Sequence, residues 1–410
     1  MTSEIIVMNK NGISMAADSA ATIYPENRTF YSQKKIFPLP YPHSIAFMVH
    51  DKLRLNAVPW ETLITIYINH LGPVPLTTAH CYAEGLIDFL KERQDLFLHD
   101  DAQMSWTYDA LNYLENLSAE MRQQWQENSG DLQNPCFRSH CKNHIENLIS
   151  ELNTQADCPG MKHASQKEKI RAALNNFGLD FVEQFLGIFN LSEDFYNSLY
   201  ELLTLLTIKD TYSFGHTGIV CAGYGHQEIF PAVSHIKVGG VYFEKLKYSY
   251  AENHKISNKN QAQIIPYAAT DSVSAFMKGV HPRYEDFSLQ EFKEIMNDFL
   301  CDVLGHAGKS AQTGTDTLID KYYTLYKKKL SRHVMAEHIY PVIENIRFLP
   351  HEGLVEIAKS LVNMTSFKSA LSHNDIRVGG KTEVGLITKA QGFQWQNRPR
   401  EPACTAGLIV

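Results

Sequence analysis

Met1-Thr2-Ser3-Glu4-Ile5-Ile6-Val7-Met8-Asn9-Lys10-Asn11-Gly12-Ile13-Ser14-Met15-Ala16-Ala17-Asp18-Ser19-Ala20-Ala21-Thr22 is the stretch from which the fold can be read. Ile5 to Met8 and Ile13 to Ala17 are short apolar runs with strand character. Asn11-Gly12 between them is a strong hairpin signal, because a type I′ turn needs two residues that tolerate positive φ. Folding the chain back at that turn brings Thr2 within two or three residues of Asp18 on the partner strand. A hydroxyl residue at the start of the chain is thus set beside a carboxylate, whereas an ordinary surface hairpin has no need of such a pair.

Thr2 follows an initiator Met and is small enough for that Met to be trimmed. Trimming leaves one residue carrying both a hydroxyl and a free α-amine, and the amine can serve as general base for its own hydroxyl. A free α-amine titrates near ~7.7–8.0, so much of it is protonated at neutral pH. A nearby ammonium lowers that value, and a carboxylate keeps the ammonium charged. The chain supplies Asp18 and then Lys34-Lys35 ahead of Ile36-Phe37.

The pattern Thr2…Gly12-x3-Ala16-Ala17-Asp18-Ser19-x2-Thr22…Lys34-Lys35-Ile36 resembles the start of a proteasome β subunit. It is more similar still to the bacterial proteasome-like members of the N-terminal nucleophile (Ntn) hydrolase superfamily. The resemblance implies an α+β fold, a four-layer αββα sandwich of two stacked sheets with helices outside. It implies Thr2 as nucleophile and Asp18 paired with a lysine: Lys34 fits the count, and Lys35, which we favour, fits the local Lys-apolar pattern. Ser19 and Thr22 belong to the matched motif and are carried over as substrate-binding residues. After the strand Ser44 to Val49, where relatives have glycine as oxyanion donor, this chain has His50-Asp51, so the His50 N–H is the expected donor. Near the C-terminus, Asp375-x3-Gly379-Gly380 matches a motif whose Asp and Ser complete the net around the threonine. Asp375 and Gly379 are carried over, and Val378 stands where the Ser would be. Thr270 and Ser272, in a segment leading into a helix, are supporting candidates near the amine.

The rest of the chain fits around this core. Its 410 residues, 44% of them apolar, are enough for one large or two ordinary domains. A net charge of −7 gives no basic footprint, which argues against nucleic acid as a partner. The sequence has neither an 18-residue apolar stretch nor a signal-peptide pattern, and its seven scattered cysteines suit a reducing cytoplasm. Two amphipathic stripes, Leu63, Ile64, Tyr67, Ile68 and Ala83, Leu86, Ile87, Leu90, predict helices over one face of the first sheet. Residues 101–210 read as a large helical insertion, dividing the core into 1–100 and 211–397, with 398–410 as a tail. Cys136, His140, Cys141 and His144, with Cys158 and His163, lack a Cys-x2-Cys pair, and adjacent His140 and Cys141 diverge on a helix, so no metal is assigned. No phosphate loop is present, and no organic cofactor is implied. From 218 to 243, short strands broken at Gly225, Pro231 and Gly239-Gly240 predict a meander. The expectation is amide hydrolysis, most naturally of peptides, by an acyl-enzyme on Thr2. A small-molecule amidase or acylase and a silent proteasome-like scaffold stand beside it, and relatives of this kind form homo-oligomers.

Overall fold

The computed structural model describes residues 2–23, 28–30, 33–97, 99–129, 136–188, 191–304, 312–371 and 378–396. They form an α+β fold with antiparallel sheets. The chain opens with β1 (Ser3–Asn9) and β2 (Ile13–Ala17), then the short β3 (Ala21–Ile23), β4 (Arg28–Phe30) and β5 (Ile36–Pro38). β6 (Ser44–Asp51) and a small hairpin, β7 (Arg54–Leu55) and β8 (Val58–Pro59), lead into α1 (Trp60–Leu71) and α2 (Ala79–Glu92). A helical stretch follows: α3 (His99–Ser129), α4 (Cys136–Asn153), α5 (His163–Phe177), α6 (Leu179–Leu186) and α7 (Glu193–Ile208). Strands return as β9 (Thr217–Tyr224), β10 (Ala232–Tyr242), β11 (Lys245–Lys255) and β12 (Ala262–Ala268). The chain ends with α8 (Thr270–Lys278), α9 (Pro282–Leu304), α10 (Gln312–Val334), α11 (Tyr340–Arg347), α12 (His351–Leu371), β13 (Glu383–Thr388) and β14 (Gly392–Trp395). No helix among the described residues is long and apolar enough to cross a membrane.

Two compact units divide the chain. One comprises Met1–Pro38, Glu228–Pro231 and Lys255–Val410, the other Leu39–Gln227 and Ala232–His254. The first unit is built on the sheet β12-β1-β2-β13-β14. Successive side chains of a strand point to opposite faces, so Ile5 and Val7 of β1, Ala16 of β2 and Val384 and Leu386 of β13 share one face. They pack with Leu354, Ala358 and Leu361 of α12 in a single apolar cluster. In register, Glu4 lies opposite Ala17, and Ala17 opposite Glu383, on the other face.

The β1–β2 turn departs from expectation. Asn9 N donates to Gly12 O at 3.0 Å, which centres the turn on Lys10-Asn11, and neither Asn11 nor Gly12 has a positive φ. The Asn9 side chain shapes it instead, accepting from Asn11 N at 2.8 Å in an Asx turn. Gly12 sits in close quarters: a Cβ there would stand 3.2 Å from the Ile387 carbonyl oxygen, so β13 would have to give by a few tenths of an ångström.

In the second unit β11, β10, β9 and β6 lie side by side. α1 and α2 form where the stripes predict, with Leu63, Ile64, Tyr67, Ala83, Leu86, Ile87 and Leu90 buried. The sheet that α2 covers is a correction, because it packs on β9 and β10, and α12 covers β1 and β2. The helices α3–α7 share a continuous core with Phe214, Tyr242 and Phe243. The meander forms as β9, β10 and β11, but the break expected at Gly239-Gly240 does not, because 232–242 is one unbroken strand in which Gly239-Gly240 lets neighbours close in. A Cβ at Gly239 would press on the Lys247 methylenes, and one at Gly240 on the Tyr242 ring. The positive-φ hairpin turn falls between β10 and β11, at Phe243 (φ 49°) and Glu244 (φ 66°).

Candidate active site

Three side chains of the first unit meet at the open end of the β1–β2 hairpin. The Thr2 hydroxyl donates to Asp18 Oδ1 at 2.8 Å, and the Lys35 ammonium donates to that same carboxylate oxygen at 2.7 Å. Lys35 Nζ also donates to Thr2 Oγ. All three residues are buried. Their meeting follows from register: Asp18 N donates to Ser3 O just past the last strand pair, which puts Asp18 beside Thr2. Lys35 arrives on the segment immediately before β5.

The carboxylate is heavily coordinated. Asp18 Oδ1 also accepts from Ser3 N at 2.9 Å, and Oδ2 accepts from Gly379 N at 2.9 Å. Backbone N–H donors of this kind fix a carboxylate without adding competing charge. Gly379 and Gly380 take φ values of 156° and 80°, and the second lies in the left-handed region that favours glycine. Ser19 Oγ accepts from Lys381 N at 2.8 Å, which ties the same glycine turn to β2's end. Behind Thr2, its carbonyl accepts from Ala269 N at 3.0 Å, and Ala268 holds a left-handed φ of 60°. A non-glycine residue in that region is strained, and such strain gathers at functional sites.

The expected residues divide as follows. Thr2, Asp18, Lys35 and Gly379 come together. Lys34 does not join them; its ammonium lies over the Phe37 ring, 5.3 Å from the centroid. Ser19 anchors the glycine turn. Thr22 lies in β3, whose backbone pairs with β4 opposite Thr29. Thr270 and Ser272 begin α8 beside the Thr2 backbone, but among the described residues neither hydroxyl bonds to Thr2. Asp375 lies outside the described residues, and Val378 is buried next to the turn. Sequence reasoning missed Glu4, whose Oε1 is 3.5 Å from Thr2 Oγ. The period-two rule places residues 2 and 4 on one face and could have flagged it.

His50 belongs to the second unit, at the end of β6. Its Nδ1 is 2.9 Å from Asp51 Oδ2 and its Nε2 is 3.2 Å from His235 Nε2. Two proton arrangements satisfy both contacts: a protonated His50 donates to Asp51 and to His235, or a neutral His50 donates to Asp51 and accepts from His235. The ring lies across Gly218 of β9, where any Cβ would collide with it. Burial, reinforced by His50, Lys237 and His216, pushes the His235 imidazole down to about 3. Burial also works to raise the Asp51 carboxyl, but the hydrogen bond and charge of His50, with His216, bring it below its ordinary value.

Two of the cysteine and histidine residues of the helical stretch, Cys158 and His163, are held by other partners. Cys141 is buried and its thiol pushed up to about 11 by desolvation. Cys158 Sγ donates to Lys209 O at 3.4 Å, and His163 Nε2 lies 2.8 Å from Glu201 Oε1. Among the described residues no three His, Cys, Asp or Glu side chains are grouped to hold a metal ion. Compared with protein families and with curated proteins, the chain matches none.

Proposed function

We propose that this chain is an N-terminal threonine hydrolase that cleaves amide bonds, most naturally peptide bonds, through an acyl-enzyme on Thr2. The Thr2–Lys35–Asp18 contact carries this reading, since it puts an ammonium on the oxygen that would attack and a carboxylate on both. The fold that accompanies it is the four-layer Ntn sandwich carrying a helical insertion.

The chemistry then runs as follows. With Met1 removed, the Thr2 α-amine takes the hydroxyl proton as Oγ attacks the substrate carbonyl. Lys35 stabilises the charge developing on Oγ, as fixed donors do when aimed at a transition-state oxygen. Asp18 pairs with Lys35 and holds it in place. Collapse of the tetrahedral intermediate breaks the C–N bond, and the α-amine passes its proton to the leaving nitrogen. Water, deprotonated by the same amine, then attacks the Thr2 ester; the acyl C–O bond breaks, the ammonium returns that proton to Thr2 Oγ, and the acid leaves with the amine and hydroxyl restored.

Intact-mass measurement and active-site labelling test the proposal. The purified chain is expected to begin at Thr2 and to gain one adduct from a β-lactone or peptide vinyl sulfone. Thr2→Ala should abolish the adduct and all amide hydrolysis, while Thr2→Ser should keep both. A chain that retains Met1, or one labelled equally after Thr2→Ala, overturns it.

A further inference from the structure

We infer that α9 and α10 form a self-complementary surface through which two copies of this chain associate. The two helices pack on each other, with Phe292 stacked on Tyr326 at 4.4 Å and Lys293 paired to Asp320 at 2.9 Å. Beside that seam each helix turns a row of large apolar side chains to solvent. On α9 the row is Tyr284, Phe287, Ile295 and Phe299, and on α10 it includes Tyr322 and Leu325. These six residues are between 42% and 61% exposed. The spacings of three, eight and four on α9 and of three on α10 put each set on one helical face.

The size of the surface fits a dimer. Side chains of this kind carry about 150–250 Å² each, so six of them roughly half exposed leave about 600 Å² of apolar area open. A standard interface removes about 800 Å² from each partner, a little over half of it apolar. Isolated exposed apolar residues need no explanation, but a contiguous patch of this size marks an interaction site.

Charge identifies the occupant as a second copy. α9 carries six acidic residues against two basic ones, and α10 five basic against two acidic. Glu291 stands within the α9 row, in the valley floored by Phe292 and Tyr326. Lys329 continues the α10 row four residues beyond Leu325 and is exposed. Neither residue has an ion-pair partner among the described residues. A two-fold axis that sets α9 of one copy against α10 of the other buries both apolar rows in a four-helix bundle. It also meets each acidic face with a basic one, bringing Glu291 towards the partner's Lys329. An isologous contact of this kind closes on itself.

Sedimentation equilibrium of the full chain tests the inference, with far-UV circular dichroism and thermal melting as folding controls. The wild type is expected to sediment at twice the chain mass at micromolar concentration. Phe287→Glu with Ile295→Glu, both at exposed positions, should give a folded monomer, the dissociation constant rising at least ~100-fold. Glu291→Lys or Lys329→Glu alone should weaken association about tenfold, and the double exchange should restore it. A wild type that is monomeric at ~100 μM overturns the inference. So does a dimer whose dissociation constant none of these substitutions changes.

Discussion

Lys35 and Asp18 form an ion pair that burial makes expensive, since each charge is withdrawn from water and their attraction only partly offsets the cost. The two partners are not equally supported. Asp18 still accepts from Ser3 N, Gly379 N and the Thr2 hydroxyl when the lysine is removed, whereas Lys35 is left with no charged partner, only the Thr2 oxygen and an amide oxygen, when the carboxylate becomes an amide. Asp18→Asn is therefore expected to lose stability on the order of 3–5 kcal/mol, the usual cost of stranding a buried charge. Lys35→Met should cost clearly less, and the double variant should be close to Lys35→Met alone. Urea unfolding of the three variants reads this order, and all three should lose labelling at Thr2. Equal destabilisation by the two single changes would contradict the asymmetry. At this scale much was legible: the hairpin sets Thr2 beside Asp18, and the family resemblance pointed to the Lys34-Lys35 doublet and favoured Lys35, the lysine that reaches them. The backbone donors on Asp18 were not, because a backbone N–H carries no signature in residue type.

At the scale of elements, the hairpin tip shows where local rules give way to contacts. Asn11-Gly12 carries the strongest local signal for a type I′ turn, yet Asn9 decides the outcome. Its side chain accepts from Asn11 N on one side, and its amide donates to Ile346 O at 2.9 Å and Leu349 O at 3.0 Å on the other. Asn11 adds a bond to Leu349 O at 3.1 Å, and His351 Nε2 lies 3.1 Å from Asn11 O, so the tip is latched to the α11–α12 joint. No local rule foresees a latch between residues more than 300 positions apart. The same holds for β10, where Gly239-Gly240 reads locally as a break but serves close packing against Lys247 and Tyr242. By contrast α1 and α2 were legible almost residue by residue, because helical periodicity is a property of the segment itself. Asn9→Ala should cost about 1–3 kcal/mol, the penalty for leaving buried polar groups without partners. Asn9→Asp should not rescue it, since a carboxylate cannot donate to the two carbonyls. Chemical denaturation of both variants checks the claim.

For the molecule as a whole, the clearest lever on stability is acid, and it acts through a residue no sequence pattern singled out. His235 is neutral in the folded chain down to about pH 3, with burial as the main cause and His50, Lys237 and His216 adding to it. An unfolded histidine takes up its proton near ~6.5. Between those two values the unfolded state binds more protons than the folded state, so stability rises with pH across that window. The contribution is complete above pH 6.5, shrinks as pH falls, and is gone once pH has passed below about 3. Each unit of separation corresponds to about 1.4 kcal/mol, so the effect is on the order of a few kcal/mol and comparable to a sizeable share of a domain's stability. His235→Gln keeps a side-chain donor for His50 Nε2 but does not titrate in this range. The variant should therefore show a shallower loss of stability between pH 6.5 and 4 than the wild type, with the two converging towards acid. Trp60 and Trp106, both buried in the same unit as His235, provide the fluorescence signal for urea titrations at each pH. If the variant and the wild type lose stability with the same slope across that window, His235 takes up its proton in the folded chain as it does in the unfolded one, and burial of its ring is not the source of the acid sensitivity.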